Sequence, residues 1–219
     1  MATGLTLYGA RGSGAVAVEA ALTLLEVPYA LIDAETFDPD DKASGDQVLS
    51  ANPMRQVPTL VLPSGEVMTE SAAILICLAD LHPASRLAPR PSDPKRAQFL
   101  RWMVFVSSAI YSLYWVKDEP SRLVPDPAGH GSLEARVLNR ISDCWGIMDS
   151  QVTPGGYILG DELTVLDLYV ATVSRFQPRR KRLYEVAPKM GEVVRRVDID
   201  PRLHALWKDR MGFHEGWEG

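Results

Sequence analysis

Hydrophobic and polar positions in the N-terminal part of the chain follow the patterns of short strands and amphipathic helices. LTLY is short, apolar and compatible with a strand, AVAVEAALTLLE is helical, and YALIDA returns to a strand pattern. QVPTLVL and GEVMTES flank the turn PSG and predict a hairpin, and SAAILICLADL predicts a closing helix. The pattern therefore predicts a β-α-β unit followed by a β-β-α unit.

A proline-rich segment, HPASRLAPRPSDP, separates this part from a helical remainder. Asp93 is placed to cap the next helix, with Pro94 as its first residue. SLEARVLNRISDCWGIMDSQV predicts a second helix, and TVLDLYVATVSRF a third with a capping box formed by Thr164 and Asp167. We therefore predict an α/β domain over residues 1–82, a linker over 83–93 and an all-helical domain over 94–219.

Composition narrows the class of protein. The chain has 219 residues, 46% of them hydrophobic, enough for one large or two small domains with a buried core. Its net charge of -5 argues against binding to nucleic acid or an anionic membrane, and the basic run Arg179–Arg182 is interpreted as an exposed loop.

The apolar runs, the first residues and the two cysteines bear on localisation and metal binding. The longest apolar run, AAILICLA, is too short to span a bilayer, and the first residues do not resemble a signal peptide, so a cytoplasmic protein is expected. Cys77 and Cys144 lie in apolar helical patterns without CxxC spacing. We interpret both as buried core thiols and predict no metal site.

Two short motifs predict a binding site for a peptide-like ligand. If the Val57–Pro58 bond is cis, the backbone N–H and C=O of Val57 face outward, where an extended peptide can pair with them. The Ser71 hydroxyl and the first N–H groups of the following helix suit a carboxylate, and Glu70 suits an ammonium group. The alternatives are an ordinary trans proline, a simple helix cap and a surface carboxylate.

Several motifs in this order resemble those of the cytosolic glutathione S-transferases. They are LYG…SG…LLEVPY, NPMRQVPTLVL, GEVMTESAAILICLADLHP and ILGDELTVLDLYVA, and they cover nearly the whole chain. The resemblance, to bacterial-type members, implies a thioredoxin-like N-terminal domain and an all-helical C-terminal domain. It also implies a cis Pro58, a Val57 that pairs with the cysteinyl backbone of glutathione, and Gln56 close to that part of the ligand. Glu70 and Ser71 would hold the γ-glutamyl end.

The group that stabilises the glutathione thiolate is not fixed by these motifs. Family members use a tyrosine, serine or cysteine just after the first strand, and this chain has Ser13 there, between Gly12 and Gly14. Gly14 lies where beta-like members have the cysteine. Three alternatives remain: the Ser13 hydroxyl, which we favour, the positive charge of Arg11, and backbone N–H groups at the start of the first helix.

The second substrate and the activity are predicted less directly. Helical spacing places Ser108, Tyr111 and Trp115 near one face, where they would line a pocket for an electrophile, although such aromatic stripes more often belong to a core. The primary hypothesis is a homodimeric glutathione transferase that conjugates glutathione to a small electrophile. The alternative is a glutathione-binding or partner-binding module of the same fold without transferase activity.

Overall fold

The computed structural model describes residues 4–34 and 42–212. Four strands form one sheet in the order β2-β1-β3-β4. The strands β1 to β4 span Leu5–Gly9, Tyr29–Asp33, Thr59–Val61 and Val67–Met68. β1 is parallel to β2, whereas β1 with β3 and β3 with β4 are antiparallel. The predicted β-α-β and β-β-α units are therefore confirmed, and together they form a thioredoxin-like domain.

Ten α-helices occur among the described residues. The helices α1 to α10 span Ala15–Leu24, Lys42–Leu49, Ser71–Leu81, Arg96–Phe105, Tyr114–Asp118, His130–Gln151, Val165–Val173, Arg179–Val186, Pro188–Asp198 and His204–Arg210. The first three belong to the thioredoxin-like domain, and the other seven form the helical domain. α2 was not predicted from the sequence, because its segment KASGDQVL has little apolar periodicity.

The predicted linker contains a 3₁₀ turn, Pro83–Ser85, and no longer helix. Leu87 in this segment accepts a hydrogen bond from the N–H of Val165 at 2.8 Å, which fastens the segment to α7. The Asp93 carboxylate accepts the N–H of Lys95 at 2.7 Å, and α4 begins two residues after the predicted Pro94. The division into domains at residues 83–93 stays a prediction.

One hydrophobic core runs through both parts of the chain. α1 and α3 pack against each other, and both contact α7 of the helical domain. Cys144 is fully buried as predicted, but Cys77 on α3 is only partly buried, so its assignment to the core was too strong. The predicted capping box of α7 is present, with the N–H of Thr164 donating to the Asp167 carboxylate at 2.8 Å.

The continuous helical segment over 96–118 is long and apolar enough, by length and composition, to cross a membrane. Its buried face packs against α6 and α7. It is not a regular α-helix throughout, because a π-helical segment, Val106–Ile110, and a 3₁₀ turn, Tyr111–Leu113, separate α4 from α5. Residues in this region therefore depart from simple helical spacing.

The basic run was wrongly assigned to a solvated loop. It forms the start of α8, and Arg180 within it is completely buried. Arg180 donates to the carbonyl of Ala171 at 2.8 Å and to the carboxylate of Asp198 at 3.0 Å. Arg175 donates to the same carboxylate at 2.6 Å. A buried carboxylate shared by two arginines explains why this charge lies inside the helical domain.

Candidate functional site

The loop before β3 presents an unpaired backbone segment. The Val57–Pro58 peptide bond is cis, as predicted. Within residues 4–34 and 42–212, neither the N–H nor the C=O of Val57 takes part in a hydrogen bond. The loop itself is held by the Asn52 amide, which donates to the carbonyl of Gln56 and to the Thr59 hydroxyl, both at 3.1 Å. A fixed backbone donor and acceptor are thus available to an extended ligand, and the Gln56 side chain next to them is exposed.

The start of α3 has the properties of an anion site. Glu70 precedes the helix with φ 67° and ψ 108°, a conformation that is uncommon for a residue with a side chain and that often marks a functional position. Ser71 is 5% exposed, and its hydroxyl has no hydrogen-bond partner in the described part of the chain. No side chain caps α3. Free N–H groups and a free hydroxyl at a helix start favour a carboxylate.

The Glu70 carboxylate is exposed, and no described cation forms an ion pair with it. It directly precedes the anion site at Ser71. The Glu70 carboxylate suits a positive group of the ligand, whereas the anion site at Ser71 suits a negative one. A ligand that ends in an α-amino acid has both an ammonium group and a carboxylate. The pairing of a ligand carboxylate with Ser71 and a ligand ammonium group with Glu70 stays a prediction.

The Ser13 hydroxyl makes two local contacts in the turn between β1 and α1. It donates to the carbonyl of Ala10 at 2.7 Å and accepts the N–H of Ala15 at 3.2 Å. Ser13 is 8% exposed. These contacts are those of a helix cap, and the single hydroxyl proton of Ser13 is directed at Ala10 rather than outward. Its role at a thiolate stays a prediction. Gly12 in the same turn has φ 67°, which glycine adopts without steric cost.

Arg11, the second predicted catalytic residue, pairs with carboxylates from two parts of the chain. Its guanidinium donates to the side chain of Asp209 at 2.8 Å and to the Asp209 carbonyl, and lies 3.9 Å from Asp33. The Arg11 side chain is half exposed. Because its charge is already balanced by two carboxylates, Arg11 offers less positive potential to a ligand than the sequence alone suggested.

Arg210, at the end of α10, connects the helical domain to the turn. Its carbonyl accepts the N–H of Gly12 at 2.8 Å. Its buried guanidinium donates to Glu19 on α1 at 3.0 Å and to Asp33 at the end of β2 at 2.9 Å. Burial raises the pKa of Glu19 despite the nearby guanidinium, whereas the hydrogen bond from Arg210 lowers the pKa of Asp33. The turn between β1 and α1 is thus held in place by Arg210, which lies about 200 residues later in the chain.

The three predicted pocket residues do not share one environment. Ser108 is exposed and donates to the carbonyl of Val104 at 2.8 Å. Trp115 is 48% exposed, with the guanidinium of Arg122 5.0 Å from its ring centre. Tyr111 instead points to the thioredoxin-like domain, where its hydroxyl accepts the N–H of Gly14 at 3.0 Å. The π-helical segment before Tyr111 breaks the regular spacing on which the common face was predicted.

Sequence reasoning missed the contribution of Arg210 and the position of the Tyr111 hydroxyl. One signal was available for the first, because Glu19 is a lone charge in the apolar run AVAVEAAL and needs a buried partner. No sequence signal joined Tyr111 to Gly14, since the two residues are 97 positions apart.

Comparison with known proteins adds to this geometry. The family model of the glutathione S-transferase N-terminal domain matches residues 15–81. An Escherichia coli K12 relative, the uncharacterized GST-like protein YncG, is 31% identical over 93% of this chain and 97% of its own length. The chain belongs to the glutathione S-transferase family. The glutathione S-transferase GstA of Escherichia coli O157:H7 is 24% identical over 74% of this chain and 79% of its own length.

A solved structure shares the fold of this glutathione S-transferase family member over most of its length. It is a glutathione transferase homologue from Sulfitobacter with bound glutathione, with a TM-score of 0.82, 24% identity and coverage of 96% of this chain and all of the other. The predicted combination of a thioredoxin-like domain and an all-helical domain is therefore confirmed. Among residues 4–34 and 42–212, no group of three or more His, Cys, Asp or Glu side chains is arranged to hold a metal ion.

Proposed function

We propose that this chain is a glutathione transferase, which binds glutathione along the thioredoxin-like domain and directs its thiolate at a small electrophile. The observation that carries the proposal is the free hydroxyl of Ser71 at an uncapped helix start, beside the unpaired carboxylate of Glu70. Family membership and the Sulfitobacter homologue with bound glutathione support the same ligand.

Glutathione would be held at two places before any chemistry occurs. Ser71 and the first N–H groups of α3 would bind the γ-glutamyl carboxylate, and Glu70 its ammonium group. The backbone of Val57 would pair with the cysteinyl residue as an added strand, next to Pro58, with Gln56 beside the ligand. These contacts fix the direction of the peptide, so that its sulfur lies towards the turn between β1 and α1.

Activation would lower the pKa of the bound thiol from its free value of about 8.5. The thiol proton would leave to solvent, and the thiolate would then attack the electrophilic carbon of the second substrate and displace its leaving group. The dipole of α1 favours an anion at its start, although the N–H groups of Ser13 and Gly14 there already donate to Ala10 and Tyr111. Holding both substrates in one cleft would supply the remaining acceleration through proximity. Ser13, Arg11 and the backbone at this turn are the groups predicted from the sequence to stabilise the thiolate.

The electrophile would lie beside the thiolate, between the two domains. Of the residues predicted for this pocket, Tyr111 has the contacts that favour such a position, because its hydroxyl meets the start of α1. Ser108 and Trp115 face outward in larger part. They would contact a second substrate only at the rim of the cleft. We infer a small, partly apolar electrophile.

The first experiment measures both binding and turnover. We expect the wild-type protein to be retained on immobilised glutathione, to bind free glutathione by calorimetry, and to conjugate it to a generic aryl halide. Retention without turnover would favour the alternative, a glutathione-binding or partner-binding module of this fold. Absence of binding would contradict the proposal. Glu66→Gln, a charge removal on the exposed β3–β4 hairpin, is a matched control that should leave binding unchanged.

We also infer a cytoplasmic homodimer. Leu100 and Val104 are exposed apolar side chains one turn apart on α4, and Leu81 at the end of α3 is 59% exposed. Apolar side chains of this size on adjoining helices suit a protein interface. Sedimentation at micromolar concentration should give twice the monomer mass, and Leu100→Lys with Val104→Lys should shift it to the monomer. A monomeric wild-type protein would contradict this inference.

A further inference from the structure

The hydroxyl of Tyr111 lies at the start of α1, beside the turn at which the proposed function places the thiolate. It accepts the N–H of Gly14 at 3.0 Å. In the described part of the chain, no acceptor receives the Tyr111 hydroxyl proton. The Ser13 hydroxyl, in contrast, gives its proton to the carbonyl of Ala10. Of these two hydroxyls at the turn, the one with a proton to offer comes from the helical domain.

Gly14 provides the space for this hydroxyl. Its backbone angles, φ -63° and ψ -13°, are ordinary helical values, so glycine is not required there for conformation. A Cβ atom at this position would lie 2.3 Å from Oη of Tyr111 and 2.8 Å from two of its ring carbons. The absence of a side chain at residue 14 is what admits the tyrosine.

The Tyr111 ring is held firmly enough to act as a fixed donor. It stacks on Phe176 with ring centres 5.6 Å apart, and it makes edge contacts with Tyr114 and Tyr169 at 6.1 and 6.2 Å. Three aromatic neighbours leave the ring little freedom to rotate away from the start of α1. The hydroxyl is therefore pre-organised, as catalytic hydrogen-bond donors need to be.

On this basis we propose that Tyr111 is a catalytic residue, whose hydroxyl, brought in from the helical domain, donates the hydrogen bond that stabilises the glutathione thiolate. The inference rests on the proposed function. The thiol proton leaves to solvent and Tyr111 keeps its own proton. The N–H of Gly14, by donating to the Tyr111 oxygen, makes the hydroxyl a stronger donor to the sulfur.

The protonation of Tyr111 agrees with this role. Burial raises its pKa to about 12, against a smaller opposing effect of the hydrogen bond from Gly14. The hydroxyl therefore keeps its proton throughout the pH range in which a glutathione thiol titrates. The carboxylate of Glu70 is among the groups near enough to raise this pKa, which relates Tyr111 to the other end of the site.

The test is a pH titration of thiolate absorbance for bound glutathione, in the wild-type protein and in Tyr111→Phe. We expect the substitution to raise the pKa of the bound thiol by about 1 to 2 units, the effect of losing one hydrogen bond to a charged group. Turnover of an aryl halide near neutral pH should fall by about tenfold or more. Glutathione affinity measured below the thiol pKa should change little, because the peptide is held elsewhere.

Tyr114→Phe is the matched control. Its hydroxyl donates to the carbonyl of Gln177 at 2.7 Å, away from α1, so this variant should lose some stability and leave the thiol titration unmoved. Circular dichroism and melting of both variants check that each is folded. An equal shift in both variants would overturn the proposal, since it would report loosened packing rather than a lost donor.

The outcomes separate this inference from the proposed function. If the wild-type protein does not bind glutathione, both are overturned. If it binds glutathione and lowers the thiol pKa, but Tyr111→Phe titrates as the wild type does, only the assignment to Tyr111 is overturned. A shift in Ser13→Ala without one in Tyr111→Phe would return the role to Ser13.

Discussion

The two ends of the proposed glutathione site are built differently. The γ-glutamyl end would be formed by Glu70 and Ser71, which lie next to each other at the start of α3 in the β-β-α unit. The sulfur end combines the β1–α1 turn with Tyr111 and Arg210 of the helical domain. A binding end formed by local sequence can be recognised from motifs. The end that carries the chemistry needs both domains to be folded and packed together.

This difference predicts that substitutions at the sulfur end affect the fold, whereas those at the γ-glutamyl end affect only binding. At the sulfur end, the guanidinium of Arg210 is buried in an ion pair that stabilises the fold. At the γ-glutamyl end, the hydroxyl of Ser71 has no partner in the described part of the chain, so its loss should affect binding only. Four predictions test this contrast.

The largest effect is expected from Arg210→Leu. It leaves the carboxylate of Glu19, 1% exposed, buried without its cation, which should cost about 3 to 5 kcal/mol of the free energy of unfolding. Urea denaturation at pH 7 measures the loss. Arg182→Leu, at the exposed Arg182–Glu185 ion pair, is the control and should cost about 1 kcal/mol or less. The double variant Glu19→Leu with Arg210→Leu should recover most of the stability, and failure to do so would show that the buried pair is not the cause.

At the γ-glutamyl end, Glu70→Gln and Ser71→Ala should each weaken glutathione binding without unfolding the chain. Hydrogen bonds to charged groups are worth about 1.5 to 3 kcal/mol, which corresponds to a loss of about tenfold or more in affinity. Calorimetry measures the affinity, and melting checks the fold. Wild-type affinity in both variants would place the ligand elsewhere.

Gly14→Ala tests the close approach between the domains. The new Cβ would overlap the Tyr111 ring, and such overpacking costs about 1 to 3 kcal/mol of stability. Gly131→Ala is the control, because no atom lies within 4 Å of a Cβ there, and in the first turn of α6 the change should leave the stability unchanged or raise it by less than about 1 kcal/mol. Combining Gly14→Ala with Tyr111→Leu should cost less than the sum of the two single changes. Additive losses would contradict a direct clash.

The smallest effect is expected from Ser13→Ala. Because the Ser13 hydroxyl accepts the N–H of Ala15, its removal should cost about 1 kcal/mol of stability, as for other helix caps. If Tyr111 is the donor, the pKa of bound glutathione should move less in Ser13→Ala than in Tyr111→Phe. A shift as large as that of Tyr111→Phe would give the two hydroxyls equal shares in stabilising the thiolate.

Much of the fold could be predicted because its signals are local. Short apolar runs and the turn PSG identified the strands, and the capping box of Thr164 and Asp167 identified the start of α7. The cis Pro58 and the position of Ser71 at a helix start could also be predicted, because each lies in a short motif, NPMRQVPTLVL and GEVMTESAAILICLADLHP. The buried Arg180 was predicted wrongly, because its carboxylate partner Asp198 lies on α9 and no local pattern relates the two.

The amino-acid sequence by itself predicted the β-α-β and β-β-α units, the helices α1, α3, α4, α6 and α7, and the motifs of the proposed γ-glutamyl end, since each signal lies in residues near one another in the chain. Only the tertiary structure decided which groups meet at the sulfur end. Tyr111 reaches Gly14 because a π-helical segment turns it towards α1, and Arg210 reaches Glu19 because α10 packs on α1. Such contacts depend on packing between distant segments, which short-range sequence patterns do not encode.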